Sequence, residues 1–154
     1  MKDRKSVSES ATTLSVVMML YDANHYGNVH GGTILKLVDE ASYATATRHS
    51  HSNVVVASVE RMDFCAPVHV GDIIILDAKL IYVGRSSMDV KVEVVTEKLK
   101  TGERLYVGTA YVTLVALDNK GKPKTVPGLA IKTREEKREF EEAKKRRKLR
   151  ERTC

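Results

Sequence analysis

From residue 33 to 49 the chain runs without glycine or proline, and Ile34, Leu37, Val38, Ala41, Ala44 and Thr45 recur at the spacing of one helix face. Before the C-terminal tail no other segment carries that period. The segments around it read as strands. Residues 12–21 are rich in β-branched and apolar side chains and stop at the loop formers Asp22, Asn24, Gly27 and Asn28. Residues 54–64 are stopped by Pro67, and residues 72–83 run from a Gly71-Asp72 turn to Gly84. In the next strand Met88, Val90, Val92 and Val94 alternate with Asp89, Lys91 and Glu93, which predicts one buried and one water-facing side. Thr101-Gly102 makes a hairpin loop, and residues 104–117 are apolar on both faces, as a central strand would be. A strand, a helix and four more strands joined by short turns make an α+β domain, one antiparallel sheet covering a single helix. One helix shields one side only, so the other face and the sheet edges predict self-association.

With 42% hydrophobic residues the chain can build a core, which excludes a fully disordered polymer. Its longest uninterrupted apolar run, residues 16–21, falls far short of the roughly 18 residues of a membrane span. The first ten residues resemble the charged start of an export signal, but Glu9 breaks the stretch where an apolar core would begin, and no small-residue cleavage site ends the apolar segment. Cys65 and Cys154 are too sparse for a disulfide framework and are not spaced as metal ligands, so a reducing cytosol fits best.

The net charge of +6 has a location. Residues 132–152 hold eleven Lys or Arg and six Glu, a surplus of five, which leaves the rest almost neutral. A nucleic-acid-binding surface would carry its positive stripe on the folded body, so this distribution argues against one. Pro123 and Pro127-Gly128 read as a linker between a domain of residues 1–129 and a basic tail, residues 130–154. The tail is built of helix formers with Glu141 four before Lys145 and Glu142 four before Arg146, and its run of five cations at 144–148 reads as a solvated face.

The stretch Gly27-Asn28-Val29-His30-Gly31-Gly32, at the start of the predicted helix, is the most unusual in the sequence. Two glycines there let another group approach the backbone N–H groups, where the helix dipole concentrates positive charge. That suits an oxyanion; a tight strand-to-helix turn would also explain the glycines. Two carboxylates lie further along the helix. The wheel sets Asp39 beside Leu35 and Ala46, and Glu40 beside Lys36 and Thr47, where Glu40 can pair with lysine in solvent. Asp39 is the better placed to act as a base, although an ordinary surface carboxylate satisfies the same pattern.

The segments GNVHGGTILKLVDEAS and VVVASVERMDF, the PVHVGD turn and the GRSSM strand start, in that order and with these gaps, resemble the hotdog-fold acyl-CoA thioesterases. The likeness is to the bacterial acyl-CoA hydrolases and the cytosolic brain-type acyl-CoA hydrolases, over residues 14–129. The resemblance implies a five-stranded antiparallel sheet wrapped round one helix, dimers often assembled as trimers of dimers, and hydrolysis of fatty acyl-CoA. Carried over by motif position, it implies that Asp39 is the helix-borne acid and Asn28 the loop amide, facing each other from different subunits. It also implies Gly31 and Gly32 as oxyanion donors with His30 lining the site, and Gly84, Arg85, Ser86 and Ser87 as the coenzyme-A contact, with Arg61 a weaker candidate. No metal or separate cofactor is implied, since coenzyme A is part of the substrate.

The chemistry is set by the substrate class. A thioester carbonyl is already electrophilic, so Asp39 would activate a water, Asn28 would orient water or carbonyl, and the Gly31 and Gly32 amides would receive the charge. Direct attack by Asp39 to give a mixed anhydride is the alternative. Other groups read as structural. The five histidines lack the spacing of a zinc helix, Cys65 reads as a buried small hydrophobe, and Ser86 and Ser87 lack a nucleophile elbow. The competing functions are a non-catalytic hotdog module that senses acyl-CoA and a hydratase of the same fold, whose catalytic motifs are absent here.

Overall fold

A computed structural model describes residues 3–150 and 153–154. In chain order it contains β1 (Arg4–Ser6), α1 (Val7–Ser10), β2 (Thr12–Val17), a 3-10 turn (Leu20–Asp22), α2 (Gly31–Ser50) and β3 (Asn53–Val59). Then come β4 (Ile73–Val83), β5 (Ser87–Glu97), β6 (Arg104–Leu117), β7 (Gly128–Ala130) and α3 (Arg134–Leu149). Five strands form one antiparallel sheet in the order β2-β4-β5-β6-β3. The sheet curls round α2, whose Ile34, Val38, Ala41, Ala46 and His49 are buried against it. Met88, Val90, Val92 and Val94 of β5 face that helix with no exposed surface. This is the hotdog architecture that the resemblance implies.

Two predicted strands end early, each for a local reason. Residues 18–22 leave β2 because the Asp22 carboxylate accepts the Met19 N–H at 2.8 Å and tightens the turn. Residues 60–65 leave β3 after a bulge between Val56 and Ser58 and cross over β6, where the Cys65 N–H donates to the Val107 carbonyl at 2.7 Å. Cys65 is therefore exposed, not the buried hydrophobe its neighbours predict. β6 is interior but lies next to the edge strand β3, so β5 takes the middle of the sheet. The expected linker is partly a strand: Gly128–Ala130 pairs in parallel with Arg4–Ser6, burying Val126 and Leu129.

The outer face of β5 is water-facing only in part: Glu93 is exposed, but α3 lies over Asp89 and Lys91. Glu139 is buried between Lys91 Nζ and Lys79 Nζ, each at 2.9 Å, and Asp89 is buried beneath Arg147. Ala143 is buried in the same seam, and the Phe140 ring packs on Tyr82 with centroids 4.8 Å apart. The basic run is thus a solvated face only in part. Lys144, Lys145 and Lys148 are exposed, whereas Arg146 lies over the Tyr111 ring at 4.1 Å and Arg147 over the Tyr82 ring at 4.4 Å. Such pairs bury the guanidinium plane against an aromatic face while its charge stays matched. Among the described residues the ion pairs of α3 reach to the sheet and not along the helix as the four-residue spacing predicts. Its start is fixed locally: Thr133 Oγ1 accepts the Glu136 N–H, and Glu136 Oε2 accepts the Thr133 N–H.

Candidate active site

The loop before α2 is organised by Asn24, a residue that the sequence marks only as a loop former. Its Oδ1 accepts the N–H groups of Tyr26 at 2.9 Å and Asn28 at 3.2 Å, and its own N–H donates to the Asn28 carbonyl at 2.8 Å. The next residues are anchored to the fold: the Val29 N–H donates to the Val68 carbonyl at 2.8 Å and the His30 N–H to the Asp22 carbonyl at 3.0 Å. The Asn28 backbone is fully used, and its side-chain amide has no partner among the described residues. A side chain that bonds backbone two and four residues on is the signal that could have identified Asn24 as the organiser.

α2 begins at the glycines themselves, two residues before the predicted start. His30 occupies the cap position with extended backbone and supplies no side-chain cap. The first N–H groups of a helix have no partner inside it. Here the exposed amides of Gly31 and Gly32 find no acceptor among the described residues. The Phe64 ring walls this corner, its Cζ standing 3.6 Å from where a Gly31 side chain would begin. Phe64 is half exposed, and its place at the glycine pair is not readable from spacing alone.

Asp39 is exposed, and its carboxylate has no hydrogen-bond or ion-pair partner among the described residues. Glu40 is exposed as well, without the lysine pair that its spacing predicts. Asp39 shares a helix stripe with Leu35 and Tyr43, both partly exposed, and the β3 strand carries exposed Val55, Val56 and Val59 at an unpaired sheet edge. A large apolar strip on an open strand edge marks an association surface. Within one chain the acid and the amides do not meet. Asp39 lies eight residues beyond Gly31, which at about 1.5 Å per residue sets them about 12 Å apart along the helix axis. One copy holds the parts of a site but does not bring them together.

The other predicted residues fall in two places. Arg61 is largely exposed and paired with Asp63 at 3.0 Å, away from the glycines in sequence but on the crossing segment that ends at Phe64. Residues 84–87 form the β4–β5 turn, where the Arg85 side chain is exposed without an ion-pair partner among the described residues, and the Ser87 hydroxyl accepts from Arg147 Nη1 at 2.9 Å. Ser86 is tied by its backbone, its carbonyl accepting the Ala116 N–H at 2.9 Å. Among the described residues no three His, Cys, Asp or Glu side chains gather as a metal site would require, and no helix is long and apolar enough to cross a membrane.

Known proteins resemble this chain in sequence and in fold. Residues 26–103 match the thioesterase superfamily profile. The chain is 38% identical over 115 residues to the uncharacterized acyl-CoA thioester hydrolase YkhA of Bacillus subtilis, covering 75% of this chain and 67% of that one. It is 34% identical to the cytosolic acyl coenzyme A thioester hydrolase of Mus musculus over 92% of its own length, spanning 38% of that protein. Its fold superimposes on a crystal structure of an apo-hexameric acyl-CoA thioesterase with a TM-score of 0.91 at 38% identity, covering 96% of this chain and 94% of the other.

Proposed function

The chain belongs to the thioesterase superfamily, and from that premise we propose that it hydrolyses the thioester of fatty acyl-CoA to a fatty acid and coenzyme A, acting in the cytosol as a dimer or as a hexamer built of dimers. The observation that carries the proposal is the uncapped start of α2, where the N–H groups of exposed Gly31 and Gly32 have no acceptor among the described residues and the Asn28 carboxamide, three residues before Gly31, has no partner among them either. A tetrahedral oxyanion is the species that such donors favour.

In the proposed site Asp39 of the partner subunit reaches the Asn28 and Gly31-Gly32 corner across the β3 edge, so a twofold dimer has two sites. Asp39 takes a proton from a water, the resulting hydroxide equivalent adds to the thioester carbon, and the negative charge passes to the carbonyl oxygen, held by the two amides. Collapse of that intermediate breaks the carbon–sulfur bond and returns a proton to the coenzyme A thiolate. Asn28 orients the carbonyl or the water, and His30 borders the same corner. Residues 84–87 take the coenzyme portion, with Arg61 a further contact.

The test is release of free thiol from palmitoyl-CoA and butyryl-CoA by the purified protein. Steady turnover that falls at least ~100-fold in Asp39→Asn, the size expected for loss of a general base, supports the reading. Binding of acyl-CoA without any thiol release favours the sensing module instead.

A further inference from the structure

The C-terminal helix reaches the turn assigned to coenzyme A through a single guanidinium. Arg147 grips Asp89 with two bonds, Nε to Oδ2 at 2.7 Å and Nη2 to Oδ1 at 2.8 Å, and its remaining nitrogen, Nη1, donates to Ser87 Oγ at 2.9 Å. Asp89 is buried and also accepts from Thr113 Oγ1 at 2.7 Å, so its charge is fully committed. A methyl group on Gly84 would stand 2.9 Å from Ser87 Oγ and 3.7 Å from Arg147 Nη1, so the turn is folded tightly against this contact. Beside it a cleft of about 340 Å³ opens, bordered by Ser58, Ser87, Thr113, Arg147 and Arg150. A planar fork that is held on three sides cannot rotate away, and the hydroxyl it orients belongs to the substrate-binding turn.

We infer that Arg147 is a positioning residue for the coenzyme end of the substrate, which makes α3 a working part of the binding apparatus and not a tail. It does not touch the reacting carbon. Through Ser87 and the buried Asp89 it holds the 84–87 turn in the shape that receives the phosphates, leaving Arg85 free to meet them. The inference rests on the assignment of that turn to coenzyme A.

Two measurements on the full chain separate the possibilities. Calorimetric binding of coenzyme A and of pantetheine, which lacks the nucleotide, is compared for wild type, Arg147→Met and Arg147→Lys, alongside kcat and KM for butyryl-CoA and S-butyryl-pantetheine. Arg147→Met should weaken coenzyme A binding and raise KM for butyryl-CoA about tenfold with kcat within about twofold, while the pantetheine ligands are unaffected. Arg147→Lys, which keeps the charge and packs on Tyr82 but loses the fork, should fall between; it carries the test if Arg147→Met does not fold. Equal losses for the long and truncated ligands, or no loss for either, overturn the inference. If the wild type releases no thiol yet its coenzyme A binding depends on Arg147, the hydrolase reading falls and the positioning role stands.

Discussion

The carbonyl oxygen of Asp63 lies 2.5 Å from where the Cβ of any side chain on Gly108 would have to be. The segment that leaves β3 crosses β6 at that point, with Met62 Cε 2.8 Å from the same position, and the crossing carries Phe64 to the start of α2. Gly108→Ala should therefore push residues 62–64 outward, lower stability by about 1–3 kcal/mol in the way overpacking does, and move Phe64 off Gly31. Thermal unfolding reads the first effect. Reduced turnover with an unchanged oligomer reads the second, and an unchanged melting temperature would show that the crossing is not tight.

Because the proposed site takes its acid from one subunit and its amide from the other, two inactive variants should rescue each other. Asp39→Asn and Asn28→Ala, each inactive alone, are unfolded together and refolded as a one-to-one mixture. Random pairing makes half the dimers mixed, each with one intact and one doubly damaged site, so activity should return to about a quarter of wild type. Recovery of no activity would mean that both groups serve the same site from one chain.

Glu139 anchors α3 to the sheet. Burial alone would raise its carboxyl, but hydrogen bonds from Lys91 and Lys79 outweigh that and hold it below its ordinary 4.5. A lowered carboxylate stabilises the fold above its ordinary range, and that contribution is lost as pH falls through the lowered value. Glu139→Gln should cost about 2 kcal/mol at neutral pH by leaving Lys91 and Lys79 only their exposed partners Glu93 and Glu135, Lys79 being partly in water. The gap to wild type, followed by denaturant unfolding, should close as the medium is acidified below 4.5.

His49 is fully buried at the end of α2, where its Nε2–H donates to the Pro127 carbonyl at 2.8 Å while Nδ1 has no partner among the described residues. Burial favours the neutral ring and outweighs the Pro127 bond, so the imidazole sits below its ordinary 6.5. The unfolded chain then takes up a proton that the folded one resists. Stability from this residue is complete above 6.5 and falls as pH drops toward the lowered value. The slope of unfolding free energy against pH below 6.5 should be smaller in His49→Gln, which has no proton to gain.

The alternation of Met88, Val90, Val92 and Val94 was enough to fix a strand and its buried face, because period two assigns sides without knowledge of any partner. The same pattern judged Glu93 correctly but misjudged Asp89 and Lys91, since a charged side chain looks alike whether it meets water or a matching charge forty residues or more away. The separation of Asp89 from Arg147 is 58 positions, and nothing in local spacing connects them. In the loop the reverse holds. Asn28, Gly31 and Gly32 could be picked out because a helix start without a capping side chain is a local feature, whereas Asn24 and Phe64 depend on how the loop closes and on which strand is crossed.

The sequence by itself determined the elements, the inward faces and the motif order that marks the family, because periodicity and turn chemistry act over a few residues. Only the tertiary structure decided that the basic segment is a helix packed on the sheet and that Arg147 grips the β4–β5 turn. Those outcomes depend on distances between residues remote in sequence, and such distances are set by the packing of the whole chain.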